Sequence, residues 1–73
     1  MSYTVVLTYD PDYDGYVVNV PALPGCVTEG KTIDEALDMA KDAIGLYVEE
    51  LTARGEPVPT ESRPPVVTTV QAA

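Results

Sequence analysis

Two groups of side chains in this 73-residue chain have types and spacing suited to chemistry. In "DPDYDG", Asp10, Asp12, Asp14 and Gly15 follow the first half of a calcium-binding EF-hand loop. That loop closes on a bidentate Glu at its twelfth position, and the twelfth position here is Pro21. The same carboxylates could be imagined around Mg²⁺ for nuclease chemistry. Such sites gather acids from separate elements about a substrate phosphate, and these three sit on one turn. The second group is Cys26, the sole cysteine, in "PALPGCVTEG". A catalytic thiol needs its pKa lowered by His, Lys, Arg or a helix N-terminus. The chain has no histidine, so a Cys–His pair is excluded and the commonest general base near neutral pH is missing. Lys31 is close in sequence, but the residues between read as an extending strand. Cys26 therefore reads as a small apolar packing residue under a helix. The expectation is a protein without catalytic residues, metal or cofactor.

The elements around these residues are marked by period and punctuation. "YTVVLTY" puts Tyr3, Val5, Leu7 and Tyr9 on one face and Thr4, Val6 and Thr8 on the other, a strand over about 3–9. After the polar turn, Tyr16, Val18 and Val20 alternate with Val17 and Asn19, a second strand over about 16–20. The two make a hairpin with a longer loop. Pro21 lacks the N–H a ladder needs and ends that strand. Leu23-Pro24-Gly25-Cys26 suits a type II turn, with Pro24 presetting φ and Gly25 supplying a positive one. A short third strand follows over about 26–29, closed by Gly30.

Thr32-Ile33-Asp34-Glu35 is a capping box, and the two acids also favour the positive end of a helix dipole. Ile33, Ala36, Leu37, Ala40, Ile44, Tyr47, Val48 and Leu51 then form one apolar stripe, predicting a helix over about 33–54. Asp34, Asp38 and Asp42 line another face, with Lys41 placed to relieve their repulsion. Gly55 is a natural C-terminal cap. The prolines of "EPVPTESRPP" make an extended connector, and "VVTTV" offers a last strand over about 66–70. One domain spanning 1–73 results. It is α+β and two-layered, in the order β-β-β-α-β: an antiparallel three-stranded meander, one helix and a final strand.

Composition limits what this domain does. Twelve acidic against four basic residues give a formal net charge of −8. Such a chain is ill suited to grip phosphate backbones, and stacking of bases on Tyr3, Tyr9, Tyr13 and Tyr16 is disfavoured with it. It suits a basic partner. A chain this short buries only about 60% of its unfolded surface, and one cysteine without histidine offers neither disulfide nor zinc staple. With one sheet face left bare by a single helix, a homo-oligomer, dimer or tetramer, is expected. No signal peptide and no apolar run of the ~20 residues needed to cross a bilayer is visible. A cytoplasmic protein without membrane association is expected.

"YVVNVPALPGCVTEGKTIDEAL" closely resembles the signature of the HicB-like antitoxin family. That family has a strand ending V-P-x-L-P-G-C, a short strand, G-x-T, and a helix opening on acids and Ala. Here these are Val20-Pro21, Leu23-Pro24-Gly25-Cys26, Gly30, Thr32 and Asp34-Glu35-Ala36. The likeness extends over about residues 3–59 and includes "YDPDYDGY" and "GEPVP". It implies a partial RNase H-like fold without the nuclease's catalytic carboxylates. It further implies binding and masking of HicA, a small mRNA-cleaving toxin with a catalytic histidine. Many relatives continue into a C-terminal DNA-binding domain, whereas this chain stops at Ala73, so no direct DNA binding is expected. Pro24, Gly25, Asp34, Asp38 and Asp42 are the candidate toxin contacts. Pro21, Pro24, Gly25, Cys26, Gly30, Thr32, Glu35 and Gly55 are the structural motif. The other reading is an orphan oligomeric module that binds some other protein or small ligand without a cognate toxin.

Overall fold

The computed structural model describes residues 1–73. Strands β1 (Val6–Asp10), β2 (Gly15–Asn19) and β3 (Val27–Gly30) precede one helix, α1 (Ile33–Ala53). The strands form a single antiparallel sheet in the order β1-β2-β3. Its register pairs Leu7 with Val18, Tyr9 with Tyr16, and Val18 with Thr28. Val5, Leu7, Tyr16, Val18 and Val20 therefore share the face that meets α1. The opposite face carries Val6, Thr8, Val17, Asn19 and Val27, and no element covers it.

Strand β1 begins later than its alternation suggests. Continuing the register places Thr4 opposite Pro21, which has no N–H to give. The Thr4 N–H instead donates to the Glu61 carboxylate at 3.0 and 3.2 Å, and the Thr4 hydroxyl donates to it at 2.8 Å. The Tyr3 hydroxyl donates to the Pro59 carbonyl at 2.7 Å. Four hydrogen bonds thus tie the segment after α1 to the start of β1.

The expected turn after β2 forms. The Cys26 N–H donates to the Leu23 carbonyl at 3.0 Å, with Gly25 at φ 80. A preceding bond from Leu23 N–H to Val20 carbonyl (3.0 Å) folds Leu23 inward, where it is fully buried. Helix α1 starts as predicted on Thr32, whose hydroxyl accepts the Glu35 N–H at 3.1 Å. Only that half of the capping box is made; the Glu35 carboxylate does not return to the Thr32 N–H. At the other end, Gly55 (φ 71) donates to Thr52 and Glu56 donates to Leu51, the paired bonds of a Schellman cap.

The core is small. Val18, Val20, Leu23, Cys26, Ala36 and Ala40 are its buried members. Of the predicted stripe, Ala36 and Ala40 are buried and Ile44 and Tyr47 pack at the margin. Ile33 and Leu37 remain 52% and 44% exposed, because a sheet of three short strands does not reach under that side of the helix. The alanines decide the packing, since they let α1 come close to the sheet.

The strand expected over 66–70 is not formed. Val66, Val67 and Val70 are 88%, 74% and 88% exposed and touch no ladder. A strand exists only where an edge accepts it, and Pro64-Pro65 hold the chain extended and away from β1. The radius of gyration, 13.9 Å, exceeds the roughly 11 Å of a compact chain of this length for that reason. No helix is long and apolar enough to cross a membrane.

Candidate functional site

Helix α1 lies on the sheet by one side and offers the other to solvent. At about 100° per residue, Asp34, Asp38, Asp42 and Glu49 fall opposite Ala36, Ala40 and Ala43. All four acids are exposed. None takes part in an ion pair; the two ion pairs of the chain join Arg54 to Glu50 and to Glu56. Lys41, expected to relieve the acidic row, pairs with none of it. No cation is in contact with these acids, and Lys41 is the one cation beside them. Along one border of the acids stand Met39 and Leu46, 42% and 67% exposed. Lys41, Asp42, Gly45, Leu46 and Glu49 line a shallow depression there. The result is an acidic surface bordered on one side by two exposed apolar side chains, a make-up suited to binding a basic partner.

Pro24 and Gly25 lie elsewhere. The Tyr47 hydroxyl donates to the Pro24 carbonyl at 2.8 Å, reaching it from the sheet-facing side of α1. The turn is therefore fixed beneath the helix, and the five candidate contacts fall on two separate surfaces rather than one. Met39, Leu46 and Glu49 were missed by the reading of the sequence. Their signal is the apolar pair seven residues apart at the border of the polar side of the helix.

The Asp10–Asp14 turn is occupied with its own architecture. One Asp10 carboxylate oxygen accepts the N–H groups of Asp12 (3.0 Å) and Tyr13 (3.5 Å). Asp14 adopts φ 56 and accepts the Tyr9 hydroxyl at 2.7 Å, a bond that raises the Tyr9 pKa. Lys31 donates to the Tyr13 carbonyl and lies 3.8 Å from its ring centroid, which draws it to this turn rather than to Cys26. No group of three or more His, Cys, Asp or Glu side chains is placed to share a metal ion.

Cys26 is buried beside Val20 and Leu23. Burial raises its thiol pKa, the opposite of what a nucleophile needs. The raised value favours the neutral thiol, so this group's contribution to stability is full below about pH 8.5 and is lost as pH climbs through the folded value. Ellman's reagent at pH 7.5 should label native Cys26 roughly tenfold or more slowly than the urea-unfolded chain. Equal rates would contradict the burial.

Residues 3–72 match the model of the HicB_like antitoxin of bacterial toxin-antitoxin systems. The chain belongs to the HicB-like antitoxin family. It is similar to the UPF0150 protein Ta0767 of Thermoplasma acidophilum, 53% identical over 62 residues, covering 85% of this chain and 88% of that one. To the antitoxin HicB of Escherichia coli K12 it is 43% identical over 44 residues, 60% of this chain but only 31% of the longer relative. The N-terminal domain of the Burkholderia pseudomallei antitoxin HicB superposes with TM-score 0.73 at 36% identity, covering 84% of this chain and 71% of that domain. In this HicB-like chain the signature residues serve geometry. Pro21 ends the ladder, Pro24 and Gly25 turn the chain, Cys26 fills the core, and Thr32 and Gly55 bound the helix.

Proposed function

We propose that this HicB-like chain binds a small, basic, mRNA-cleaving toxin of the HicA kind and inhibits it by covering its active surface. The observation that carries this reading is the unpaired acidic row of Asp34, Asp38, Asp42 and Glu49, flanked by the exposed Met39 and Leu46. A ribonuclease must present cations to hold RNA phosphates. An acidic face with an apolar border competes for those cations and hinders RNA entry. The chain needs no catalytic group for this role, since occupancy alone blocks cleavage. Pro24 and Gly25 would contact the toxin only at a second surface.

The test is titration of the purified chain into an mRNA-cleavage reaction of a HicA-type toxin from the same genome. Cleavage should fall to background near equimolar antitoxin; undiminished cleavage at tenfold excess would overturn the reading. Replacing Asp38 and Asp42 together by Lys should raise the concentration for half-inhibition about tenfold or more at low salt, mostly through slower association. Because both acids are exposed and unpaired, the melting temperature should change little, the stability effect staying within about 0.5 kcal/mol per site. Equal inhibition by wild type and variant would remove the acidic face from the contact.

A further inference from the structure

Helix α1 does not lie over the middle of the sheet. Its first turn meets β3 backbone to backbone at Gly30, and most of its contact with the sheet is at that strand. Because β3 is an edge strand, one side of the helix overhangs it. Leu37, Lys41 and Ile44 look toward Tyr3 and Val5 on the β1 side. Met39 and Leu46 each come two residues after Leu37 and Ile44, about 200° further round the helix. They therefore project past β3, on the other side. Both are exposed, and about 10 Å of helix separates them.

The backbone of β3 below this overhang is open to a partner. In an antiparallel ladder, hydrogen-bonded pairs alternate with non-bonded ones. The Val20 N–H donates to the Cys26 carbonyl at 3.2 Å. Steps of two along the register lead from there to Val18–Thr28 and Tyr16–Gly30, which are therefore the bonded pairs. Val27 and Glu29 lie between them and turn their N–H and C=O groups away from β2. Both residues are exposed, and the Val27 side chain is 56% so. An added strand would thus find donors and acceptors at two alternate residues and an apolar roof above them.

Charge selects the occupant. Glu29, Glu35 and Asp42 border this edge, all exposed and none in an ion pair. Lys31, at the end of β3, is drawn away to the Tyr13 carbonyl and ring. A segment that alternates apolar residues with Lys or Arg matches both features. Its apolar side chains would enter between Met39 and Leu46, and its cations would stand beside Glu29, as the period of two requires.

We propose that a short, basic, extended segment of the toxin adds to β3 as a fourth strand, hydrogen-bonded to Val27 and Glu29 and roofed by Met39 and Leu46; this rests on the toxin reading above. Main-chain bonds then hold the segment, and the side-chain match sets which segment is accepted. Addition also covers an edge whose free backbone groups otherwise invite indiscriminate pairing. Because β3 is four residues long, the added strand is equally short.

The experiment compares the full chain alone and in complex with a HicA-type toxin from the same genome. On binding, the Val27 and Glu29 amides should exchange with deuterium about a hundredfold or more slowly, while Thr28 and Gly30 change little. Isotope-filtered Overhauser contacts should link the β3 amides to toxin backbone. Glu29→Pro puts a ring at the open edge without removing a bond to β2. It should raise the toxin concentration for half-saturation about tenfold or more, and Glu29→Gln, which keeps the N–H, about threefold or less. If Glu29→Pro fails to fold, Met39→Asp at the exposed roof and the wild-type exchange data decide. A complex that inhibits cleavage while the Val27 and Glu29 amides keep their free rates would overturn strand addition and leave the toxin reading standing. Absence of any complex would overturn both. Amides already protected in the antitoxin alone would place a second copy on this edge and overturn the assignment to toxin.

Discussion

Gly30→Ala is expected to lower the melting temperature by about 12 °C or more. A Cβ at Gly30 would lie 2.5 Å from the Ala36 nitrogen, 2.6 Å from its Cα and 2.9 Å from the Glu35 carbonyl carbon. All three are backbone atoms, so no side chain can rotate aside; the first turn of α1 must lift off β3. Overpacking of this kind costs typically 1–3 kcal/mol. The upper end applies because α1 rests on the sheet chiefly at β3 and its only buried residues are Ala36 and Ala40. In a domain of this size each kcal/mol is worth about 4–8 °C. Gly45→Ala is the control. A Cβ there meets nothing within 4 Å, and the position is an exposed helix interior. It should stabilise by about 1 kcal/mol through helix propensity. Thermal melts followed by circular dichroism test both, and an unchanged melt for Gly30→Ala would refute the close approach of helix and strand.

Leu23→Ala should leave the chain largely unfolded at 37 °C. Leu23 is fully buried and, with Val18, the largest side chain so enclosed. It joins Val20 and Cys26 to Tyr3, Val5, Ile44 and Tyr47, so it links the turn, the start of β1 and the second half of the helix. Truncating a buried leucine costs about 2–5 kcal/mol, more where the site cannot collapse. Here the turn is held by two successive backbone bonds and by Tyr47, which limits collapse. Total stability at this length is on the order of 4–11 kcal/mol, so one substitution removes a large share. Urea unfolding should show the midpoint falling sharply with little change in slope. Leu46→Ala, at a side chain 67% exposed, should shift stability by less than about 0.5 kcal/mol. A midpoint for Leu23→Ala within error of wild type would contradict the core described here.

Both positions show how far the amino-acid order reaches. Gly30 is recognisable as the residue that stops β3, and Leu23 as the lead of a type II turn. Neither reading says that Gly30 lacks a side chain because the helix backbone presses on it, or that the turn delivers Leu23 to the core. The acidic row was visible as a spacing of four. Its lack of ion pairs was not, since Lys41 sits within reach along the helix yet contacts none of these acids.

What the sequence determined by itself is everything governed by nearest neighbours along the chain. The hairpin, the Pro24-Gly25 turn, the Thr32 start and the Gly55 stop of α1 arise from φ preferences and from donors a few residues apart. The family signature is made of the same residues, so membership was legible with them. Tertiary structure decided what depends on partners distant in the chain. It set which side of the apolar stripe found a sheet beneath it, and how Pro21 opposite Thr4 shortened β1. It separated the Pro24 turn from the acidic face. It also left residues 66–70 without a ladder, because β propensity supplies a strand's shape and only a free edge within reach supplies its hydrogen bonds.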